Sequence, residues 1–210
     1  KGSTISFVSK GQDLLGWIEL TDRLRPTTKG ALLHAKRNQL EVIMLTGDRI
    51  EAAEQIAKEC GITEVIANVR PDEKATYITS LKAQGKHVAM VGYGINDAAA
   101  LAVADVGIAM GAGSDIALDS ADIVLLRNDL MDAMSALELG RVTVKKIRTN
   151  LWWAFIYNIV GIPLAMGLLL PWTGWLLPPA YAAAAMSLSS VSVVMNSLTL
   201  KWWRPKQMEA

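Results

Sequence analysis

A charge-free run covers residues 151–200, which contain no Asp, Glu, Lys or Arg. All 41 charged side chains, 21 basic and 20 acidic, therefore fall in the other 160 of the 210 residues. A helix of about 20 apolar residues can cross a bilayer, so this run has room for two crossings. The other residues have the composition of an ordinary soluble domain. The sequence thus predicts two parts that fold in different surroundings.

Two helices, at residues 151–170 and 180–200, are predicted within this run, and each is long enough to span the ~30 Å hydrocarbon core. Their linker, residues 171–179, contains three prolines and no charge. Basic side chains precede the first helix and follow the second, so the positive-inside rule places both outer ends and the tail, residues 201–210, in the cytoplasm. A buried hairpin in a soluble core is the alternative. Tryptophans at the predicted interfaces favour the bilayer: Trp152, Trp153, Trp172, Trp175, Trp202 and Trp203.

Short β-rich runs alternate with amphipathic helical stretches over the first 125 residues. The predicted strands are residues 4–8, 14–20, 42–45, 65–67, 87–91, 106–110 and 123–125, and the predicted helices are 27–38, 50–60, 72–84 and 96–104. From residue 42 onward this order predicts βαβ units, and strands without polar alternation are typical of a parallel sheet covered on both faces. We therefore predict an α/β fold with a Rossmann-like parallel sheet, led into by a hairpin at residues 4–20. The predicted domains are 1–128 for the α/β part, 129–150 for a basic linking helix and 151–200 for the membrane hairpin.

Composition excludes several classes of partner and site. The net charge is +1 and no basic stripe alternates with aromatic residues, so we expect no nucleic-acid partner. A single cysteine, Cys60, excludes an intramolecular disulfide and a metal site of the CxxC type. The chain begins at Lys1 without an initiator methionine or an apolar signal stretch, and we expect it to be a piece of a longer protein.

Three short motifs carry residue types that suit phosphate chemistry. Thr46, Gly47 and Asp48 combine a hydroxyl, a residue that admits close backbone approach, and the N-terminus of the next helix. Lys74 lies in the first turn of a predicted helix, and the GYGIND motif at residues 92–97 follows another predicted strand. Singly, each motif has an ordinary interpretation as a helix N-cap, a solvated lysine or a tight glycine turn.

Taken in order, TGD, PDEK and GYGIND, followed by AAAL and ADVGIAMG, resemble the phosphorylation domain of P-type ATPases, a branch of the haloacid-dehalogenase-like phosphotransferases. The resemblance extends over essentially the whole chain. It implies ATP and Mg²⁺ as cofactors and a phosphoryl pocket formed by Thr46, Gly47, Asp48, Lys74, Asn96 and Asp97. By this resemblance Thr46 and Gly47 hold the phosphoryl group, and Asp48 orients the site. Lys74 neutralises phosphate charge, and Asn96 and Asp97 complete the pocket, with Asp97 helping to hold Mg²⁺.

Two departures from the family pattern affect activity. The aspartyl nucleophile of the family's DKTGT motif is absent, so we expect no covalent phosphoenzyme on this chain alone. Tyr93 stands where the family motif GDGxND has its first Asp, and a phenol is a poor ligand for Mg²⁺. Ala99 replaces the usual proline shortly after that motif, which is a milder change. We expect weak Mg²⁺ binding and slow or no turnover even in a longer protein.

Polar residues inside the predicted crossings are candidates for a transport path. Tyr157 and Asn158 lie in the first, and Met186 and Ser190, four residues apart and hence on one helical face, lie in the second. A thioether is a soft ligand suited to Cu(I). The pairing of YN with MSLSS resembles the copper branch of the family, in which these four positions belong to the intramembrane copper path. Helix packing is the alternative for the hydroxyl groups, and the family's CPC motif is absent.

The leading hypothesis is the C-terminal portion of a copper(I)-translocating P-type ATPase, which would couple ATP hydrolysis to Cu(I) export and be inactive alone. One rival is a truncated, non-enzymatic membrane paralogue that binds copper or docks on a full pump. Another is a small membrane-anchored phosphatase, although such an enzyme needs the same nucleophilic Asp. The expected partners are membrane lipid, Cu(I), and either the missing N-terminal half or a full-length pump. The expected location is a multi-pass membrane protein with the α/β part in the cytoplasm.

Overall fold

The computed structural model describes residues 4–20, 24–111, 113–174 and 176–205. Trp175 and residues 206–210 of the predicted tail lie outside these ranges. The chain forms two compact units that divide between Met134 and Ser135. The predicted domain boundaries stay a prediction.

The described part of unit 1 contains seven strands, and each overlaps a predicted one. They are β1 (Thr4–Lys10), β2 (Asp13–Leu20), β3 (Ile43–Leu45), β4 (Glu64–Ile66), β5 (Ala89–Gly92), β6 (Val106–Ala109) and β7 (Ile123–Val124). The helices are α1 (Thr28–Arg37), α2 (Ile50–Cys60), α3 (Pro71–Ala83), α4 (Ala98–Val103) and α5 (Asp115–Asp119), with a 3-10 helix at Ile95–Asp97. The short helix α5 was not predicted; it is capped by Ser114, whose Oγ accepts from the Ala117 N–H at 3.3 Å.

The strands of unit 1 form one antiparallel hairpin and two parallel sheets. β1 pairs with β2 in the hairpin, which has an irregularity between Val8 and Ser9. β3 pairs with β4 in parallel, and β5, β6 and β7 form a second parallel sheet in that order. The predicted α/β class with parallel strands is confirmed. The parallel strands form two sheets rather than one continuous sheet, because no backbone hydrogen bond joins the described strands β3 and β5.

The core of unit 1 lies where α3 and α4 cover the second parallel sheet. Ile78 of α3, Met90 of β5 and Leu101 of α4 belong to one buried cluster, and Ile108 of β6 is fully buried. Burying each such side chain stabilises the fold by about 1.5–3 kcal/mol. Gly107 permits the close approach of α4, because a Cβ at this position would lie 2.5 Å from the Leu101 carbonyl oxygen.

Asp105 ties the chain before β5 to the loop after α4. Its Oδ2 accepts from the Val88 backbone N–H at 2.8 Å, and its Oδ1 lies 3.1 Å from Lys82 Nζ. The Val88 N–H and then Lys82 lower the pKa of the Asp105 carboxyl. Because the pKa is lower in the folded state, the ionised Asp105 carboxylate and its two contacts stabilise the fold at any pH above the unfolded pKa. This stabilisation is lost as the pH falls through the folded pKa.

Unit 2 contains most of the long helix α6 (Leu130–Ala165), followed by α7 (Leu170–Thr173), α8 (Pro179–Leu198) and a 3-10 helix at Thr199–Trp202. The predicted end of the first apolar helix at residue 170 is wrong, because α6 ends at Ala165. Leu168 N–H donates to the Pro163 carbonyl at 3.0 Å and Gly167 N–H to the Leu164 carbonyl at 3.1 Å. This pair of bonds, with Gly167 at φ +85°, is a Schellman motif, which ends a helix even inside an apolar run.

One described helical segment, Ala183–Trp202, is long and apolar enough to cross a membrane. It overlaps the second predicted crossing at residues 180–200. Within α6 the charge-free part is residues 151–165, about 22 Å of helix against a hydrocarbon core of about 30 Å. Because α6 ends at Ala165, its charge-free part is shorter than the hydrocarbon core, and the first crossing stays a prediction.

We expect Gly107→Ala to destabilise unit 1 by about 1–3 kcal/mol, since the added Cβ would meet backbone rather than a flexible side chain. Gly30→Ala in α1 is the matched control, because the nearest atom to its new Cβ is the mobile end of Met131, at 3.3 Å. Alanine is also the better helix former by up to about 1 kcal/mol. Urea unfolding followed by circular dichroism compares the two, and equal midpoints would contradict this packing.

Candidate functional site

Thr46 and Asp48 lie in the loop that leaves β3 at its carboxyl end. Thr46 Oγ1 donates to Asp48 Oδ2 at 2.8 Å, and the Asp48 N–H donates back to Thr46 Oγ1 at 3.1 Å. The following helix, α2, has Arg49 at its N-cap and no side-chain capping bond. The N-cap interpretation of Thr46 and Asp48 is therefore wrong. The two residues bind each other in the loop, and Asp48 is exposed to solvent.

The loop after β4 holds the loop after β3 in place. Asn68 N–H donates to the Asp48 carbonyl at 2.8 Å, and Val69 N–H donates to the Thr46 carbonyl at 3.1 Å. A Cβ at Gly47 would lie 3.2 Å from the Val69 carbonyl oxygen, which is a tight contact with backbone. The absence of a side chain at Gly47 thus lets the two loops approach each other, while its predicted contact with a phosphoryl group stays a prediction.

Lys74 and Asp97 form an ion pair across 23 residues of sequence. Lys74 Nζ donates to Asp97 Oδ1 at 2.7 Å, and both side chains are 12% exposed. Lys74 lies in the first turn of α3, and Asp97 ends the 3-10 helix that follows β5. Lys74 is therefore not a solvated lysine but part of a shielded charge pair.

The second oxygen of Asp97 is held by the backbone of the turn after β5. Asp97 Oδ2 accepts from the N–H groups of Tyr93 at 3.3 Å and Gly94 at 3.1 Å. A Cβ at Gly92 would lie 2.7 Å from Asp97 Cβ, so the carboxylate can pack against the strand end only beside a glycine. The predicted glycine turn is thus also a binding site for the Asp97 side chain, a role that the sequence analysis missed.

Tyr77 anchors the helix that carries Lys74. Its hydroxyl donates to Glu64 Oε1 at 2.8 Å, which joins α3 to the first residue of β4. Burial, followed by this hydrogen bond, raises the pKa of Tyr77. Tyr77 lies three residues after Lys74 and so on a neighbouring part of the helix surface. No sequence pattern singled it out, because its partner is remote in the chain.

Asn96 and the Tyr93 ring lie outside both pairs. Asn96 is exposed, and its side chain makes no hydrogen bond with another residue that the structure describes; the Tyr93 side chain is 66% exposed. Within the described ranges no hydrogen bond links the Thr46–Asp48 pair to the Lys74–Asp97 pair. The structure thus places four of the six predicted site residues in two separate side-chain pairs, and the predicted pocket stays a prediction.

The oxygen atoms of these residues do not fit Mg²⁺ by themselves. One oxygen of Asp97 faces the Lys74 ammonium, and the other is engaged by backbone N–H groups. The Tyr93 phenol is a poor ligand for a hard cation. No group of three or more His, Cys, Asp or Glu side chains suited to a metal occurs in the described part of the chain.

The four predicted metal ligands lie on α6 and α8 of unit 2. The Tyr157 ring lies 6.4 Å from that of Trp153, measured between centroids, and Asn158 Nδ2 donates to the Ala154 carbonyl at 2.8 Å. Met186 is 68% exposed, and Ser190 is also exposed. The contacts described for Tyr157 and Asn158 thus lie within their own helix.

Residues 1–105, half of the chain, match the family of haloacid dehalogenase-like hydrolases. The chain is 48% identical to the probable copper-transporting ATPase PacS of Synechococcus elongatus over 98% of its length, and covers 27% of that protein. It is 50% identical to the silver exporting P-type ATPase of Salmonella typhimurium over 96% of its length, and covers 24% of it. The crystal structure of a zinc-transporting PIB-type ATPase in the E2.Pi state matches 95% of this chain with a TM-score of 0.78 and 36% identity. The chain covers 32% of that structure and about a quarter of the two curated relatives.

We expect Lys74→Met to destabilise unit 1 by about 3 kcal/mol, since it leaves the Asp97 carboxylate shielded from water without its cation. Adding Asp97→Asn removes that charge, so the double variant should be more stable than Lys74→Met alone. Lys86→Met is the control, because Lys86 and Glu41 form an exposed pair and its loss should change little. Urea unfolding of the parent chain, Lys74→Met, Asp97→Asn and the double variant gives the double-mutant cycle, with Lys86→Met measured beside it. Effects that add within about 0.5 kcal/mol would contradict the coupling.

Proposed function

This chain belongs to the haloacid dehalogenase-like hydrolase family, and we propose that it is the C-terminal part of a P-type ATPase that translocates Cu(I) across a membrane. The observation that carries the proposal is the shielded Lys74–Asp97 pair. It places a cation and a carboxylate beyond the carboxyl end of a parallel strand, where open α/β sheets bind their ligands. The similarity to the copper and silver pumps over nearly the whole chain supports the same assignment.

In the proposed reaction, an aspartate outside this chain supplies the nucleophile. Its carboxylate attacks the γ-phosphorus of ATP, so that an acyl phosphate forms and ADP leaves; water then attacks the phosphorus and releases phosphate. Thr46 donates its hydroxyl hydrogen to a phosphoryl oxygen in place of Asp48, and the Gly47 backbone lets that oxygen approach closely. Lys74 offsets the negative charge that is spread over the phosphoryl oxygens in the transition state.

The separation of the two parallel sheets supports a missing strand between β3 and β5. A central strand of a parallel sheet is normally covered on both faces, yet all three residues of β3 are only half-buried. A strand from the missing half, pairing with β3 on one side and β5 on the other, would join the sheets. Its carboxyl end would then carry the nucleophile into the space near Thr46 and Asp97.

The proposed cargo path uses Tyr157, Asn158, Met186 and Ser190. A thioether sulfur suits a soft monovalent ion, and Cu(I) and Ag(I) are both of this kind. The similar silver exporter makes Ag(I) an alternative cargo. Met186 supplies the soft donor, and the three polar side chains supply oxygen and nitrogen groups in a region where unpaired polar groups are costly.

The proposed location is a multi-pass membrane protein with unit 1 and both ends of the hairpin in the cytoplasm. Basic side chains flank the charge-free run on both sides, with Lys145, Lys146 and Arg148 before it and Lys201 and Arg204 after it. Positive charge near membrane helices marks the cytoplasmic side.

A truncated paralogue without enzymatic activity is the second candidate, and Tyr93 favours it. A protein that no longer forms a phosphoenzyme has no need of a carboxylate at this position. The coding sequence upstream of Lys1 distinguishes the two, because in-frame CPC and DKTGT motifs indicate a pump and a nearby start codon indicates the paralogue.

We expect Tyr93→Asp in the full-length protein to raise the ATPase rate by about tenfold or more, which corresponds to ~1.4 kcal/mol of barrier. The added carboxylate supplies the oxygen ligand for Mg²⁺ that the phenol lacks. Tyr93→Asn is the matched control, since it has the shape of Asp without its charge. ATPase rates against Mg²⁺ concentration provide the measurement. Equal rates for Tyr93 and Tyr93→Asp would refute the proposed defect, and an equal gain in Tyr93→Asn would assign it to the bulk of the ring.

We expect Met186→Leu to weaken Cu(I) binding by at least about tenfold in the full chain in detergent, because it removes the sulfur and keeps a side chain of similar size. Met195→Leu is the control, since Met195 lies on the same helix and is also exposed. Competition with a chromophoric Cu(I) chelator measures both affinities. An equal loss in the two variants, or none in either, would remove Met186 from the path.

A further inference from the structure

Four polar side chains connect α6 to α8 where the charge-free run meets the charged sequence. Lys146 Nζ donates to Asn196 Oδ1 at 2.8 Å, and Asn196 Nδ2 donates to Asn150 Oδ1 at 2.6 Å. Asn150 Nδ2 then donates to Ser197 Oγ at 2.8 Å, and the Ser197 hydroxyl donates to the Val193 carbonyl at 2.8 Å. We call Lys146, Asn150, Asn196 and Ser197 the amide clamp.

The clamp has one consistent direction of hydrogen bonding. An ammonium group can only donate, so Lys146 requires the oxygen of Asn196 to face it. The nitrogen of Asn196 must then face Asn150, whose nitrogen faces Ser197. Such a chain of donors and acceptors strengthens each of its bonds and admits a single arrangement of the two amides. The direction of these bonds therefore fits one position of the C-terminal end of α8 against the middle of α6.

Two other hydroxyl groups of α8 bind within their own helix. The hydroxyls of Ser187 and Ser192 donate to the carbonyls of Ala183 and Leu188, at 3.1 and 2.8 Å. Bonds of this kind move with the helix, so they do not specify where α8 lies along α6. The three bonds of the clamp join one helix to the other, and they do specify it.

Helical rise relates the clamp to the proposed metal ligands. Tyr157 and Asn158 lie seven and eight residues beyond Asn150, or about 10–12 Å along α6 at 1.5 Å per residue. Ser190 and Met186 lie six and ten residues before Asn196, or about 9 and 15 Å along α8. The connection between α6 and α8, residues 166–178, contains α7 and is too short to join two parallel helices that pair at Asn150 and Asn196, so α6 and α8 run antiparallel. Pairing Asn150 with Asn196 thus brings Tyr157 and Asn158 level with the middle of the segment from Met186 to Ser190.

We propose that the amide clamp sets the register of α6 and α8 and so positions the Cu(I) ligands of one helix opposite those of the other. This role rests on the proposed function, in which those ligands form the cargo path. A slip of one helical turn moves a ligand by about 5.4 Å, far beyond the length of a coordination bond. Lys146, Asn150, Asn196 and Ser197 are positioning residues and do not contact the ion.

The test measures register and Cu(I) affinity separately in the full chain in detergent. Spin labels at Ile159→Cys and Leu188→Cys, in a Cys60→Ser background, report the distance between the helices; both positions are exposed and lie outside the clamp and the ligand set. Asn150→Leu removes the amide at similar size, whereas Asn150→Asp keeps the acceptor for Asn196 and lets the Ser197 hydroxyl donate to it. Ser192→Ala is the control, since that hydroxyl binds its own helix.

We expect Asn150→Leu to shift or broaden the label distance by up to the ~5.4 Å of one turn, and to weaken Cu(I) binding by about tenfold to a hundredfold. Asn150→Asp and Ser192→Ala should match the parent chain in both measurements. Should Asn150→Leu lose its helical circular dichroism, Ser197→Ala replaces it as the milder break, with a smaller shift in the same direction.

The outcomes separate the clamp from the proposed function. An unchanged distance in Asn150→Leu overturns the clamp, whatever happens to Cu(I) affinity. A changed distance in a chain that binds Cu(I) as tightly as its parent overturns the positioning role. A changed distance in a chain whose parent binds no Cu(I) supports the register role and refutes the cargo path instead.

Discussion

The ion pair between Lys74 and Asp97 determines the backbone shape at the end of β5. A carboxylate that is largely shielded from water is costly unless each of its oxygens has a partner. Lys74 satisfies one oxygen, and the N–H groups of Tyr93 and Gly94 satisfy the other. The turn can wrap around the carboxylate because Gly92 has no Cβ to block it. Gly92 and Gly94 therefore make room for the Asp97 carboxylate and bind it, in addition to forming the turn.

The pair also depends on elements that are held by other contacts. Lys74 reaches Asp97 from α3, which Tyr77 joins to β4 through Glu64, while Asp97 lies beyond β5 of the second sheet. No backbone hydrogen bond joins the described strands β3 and β5, so side chains connect the two parallel sheets. An ion pair can help to join elements in this way only if other packing holds them together, and Leu45 of β3 provides it by packing against the buried cluster that contains Met90 of β5.

Most strands and helices of unit 1 could be predicted because their signals are local. The prediction for α2 matches at both ends, since an amphipathic run stops at Gly61, which adopts a left-handed conformation with φ +71°. The Lys74–Asp97 pair could be placed in one pocket only by resemblance, because a contact across 23 residues leaves no periodic pattern. The end of α6 was missed because the apolar run continues past Ala165. Hydropathy measures only how apolar a segment is, so it gives no sign of the turn at Gly167. The contact between Asn150 and Asn196 was missed for the same reason as the ion pair.

The residue at position 93 determines how many negative charges lie near Lys74. With a carboxylate at this position, the pocket would hold two anionic groups against one lysine, and that excess of negative charge would favour a divalent cation. With a phenol, the Lys74–Asp97 pair is already neutral, so an arriving phosphoryl group has to share Lys74 with Asp97. The ammonium has three donors and uses one on Asp97 Oδ1, so it can bind both anions without giving up the pair. A tyrosine at this position therefore removes a ligand for the metal from the proposed pocket but leaves the proposed phosphate contacts of Lys74 and Thr46 in place.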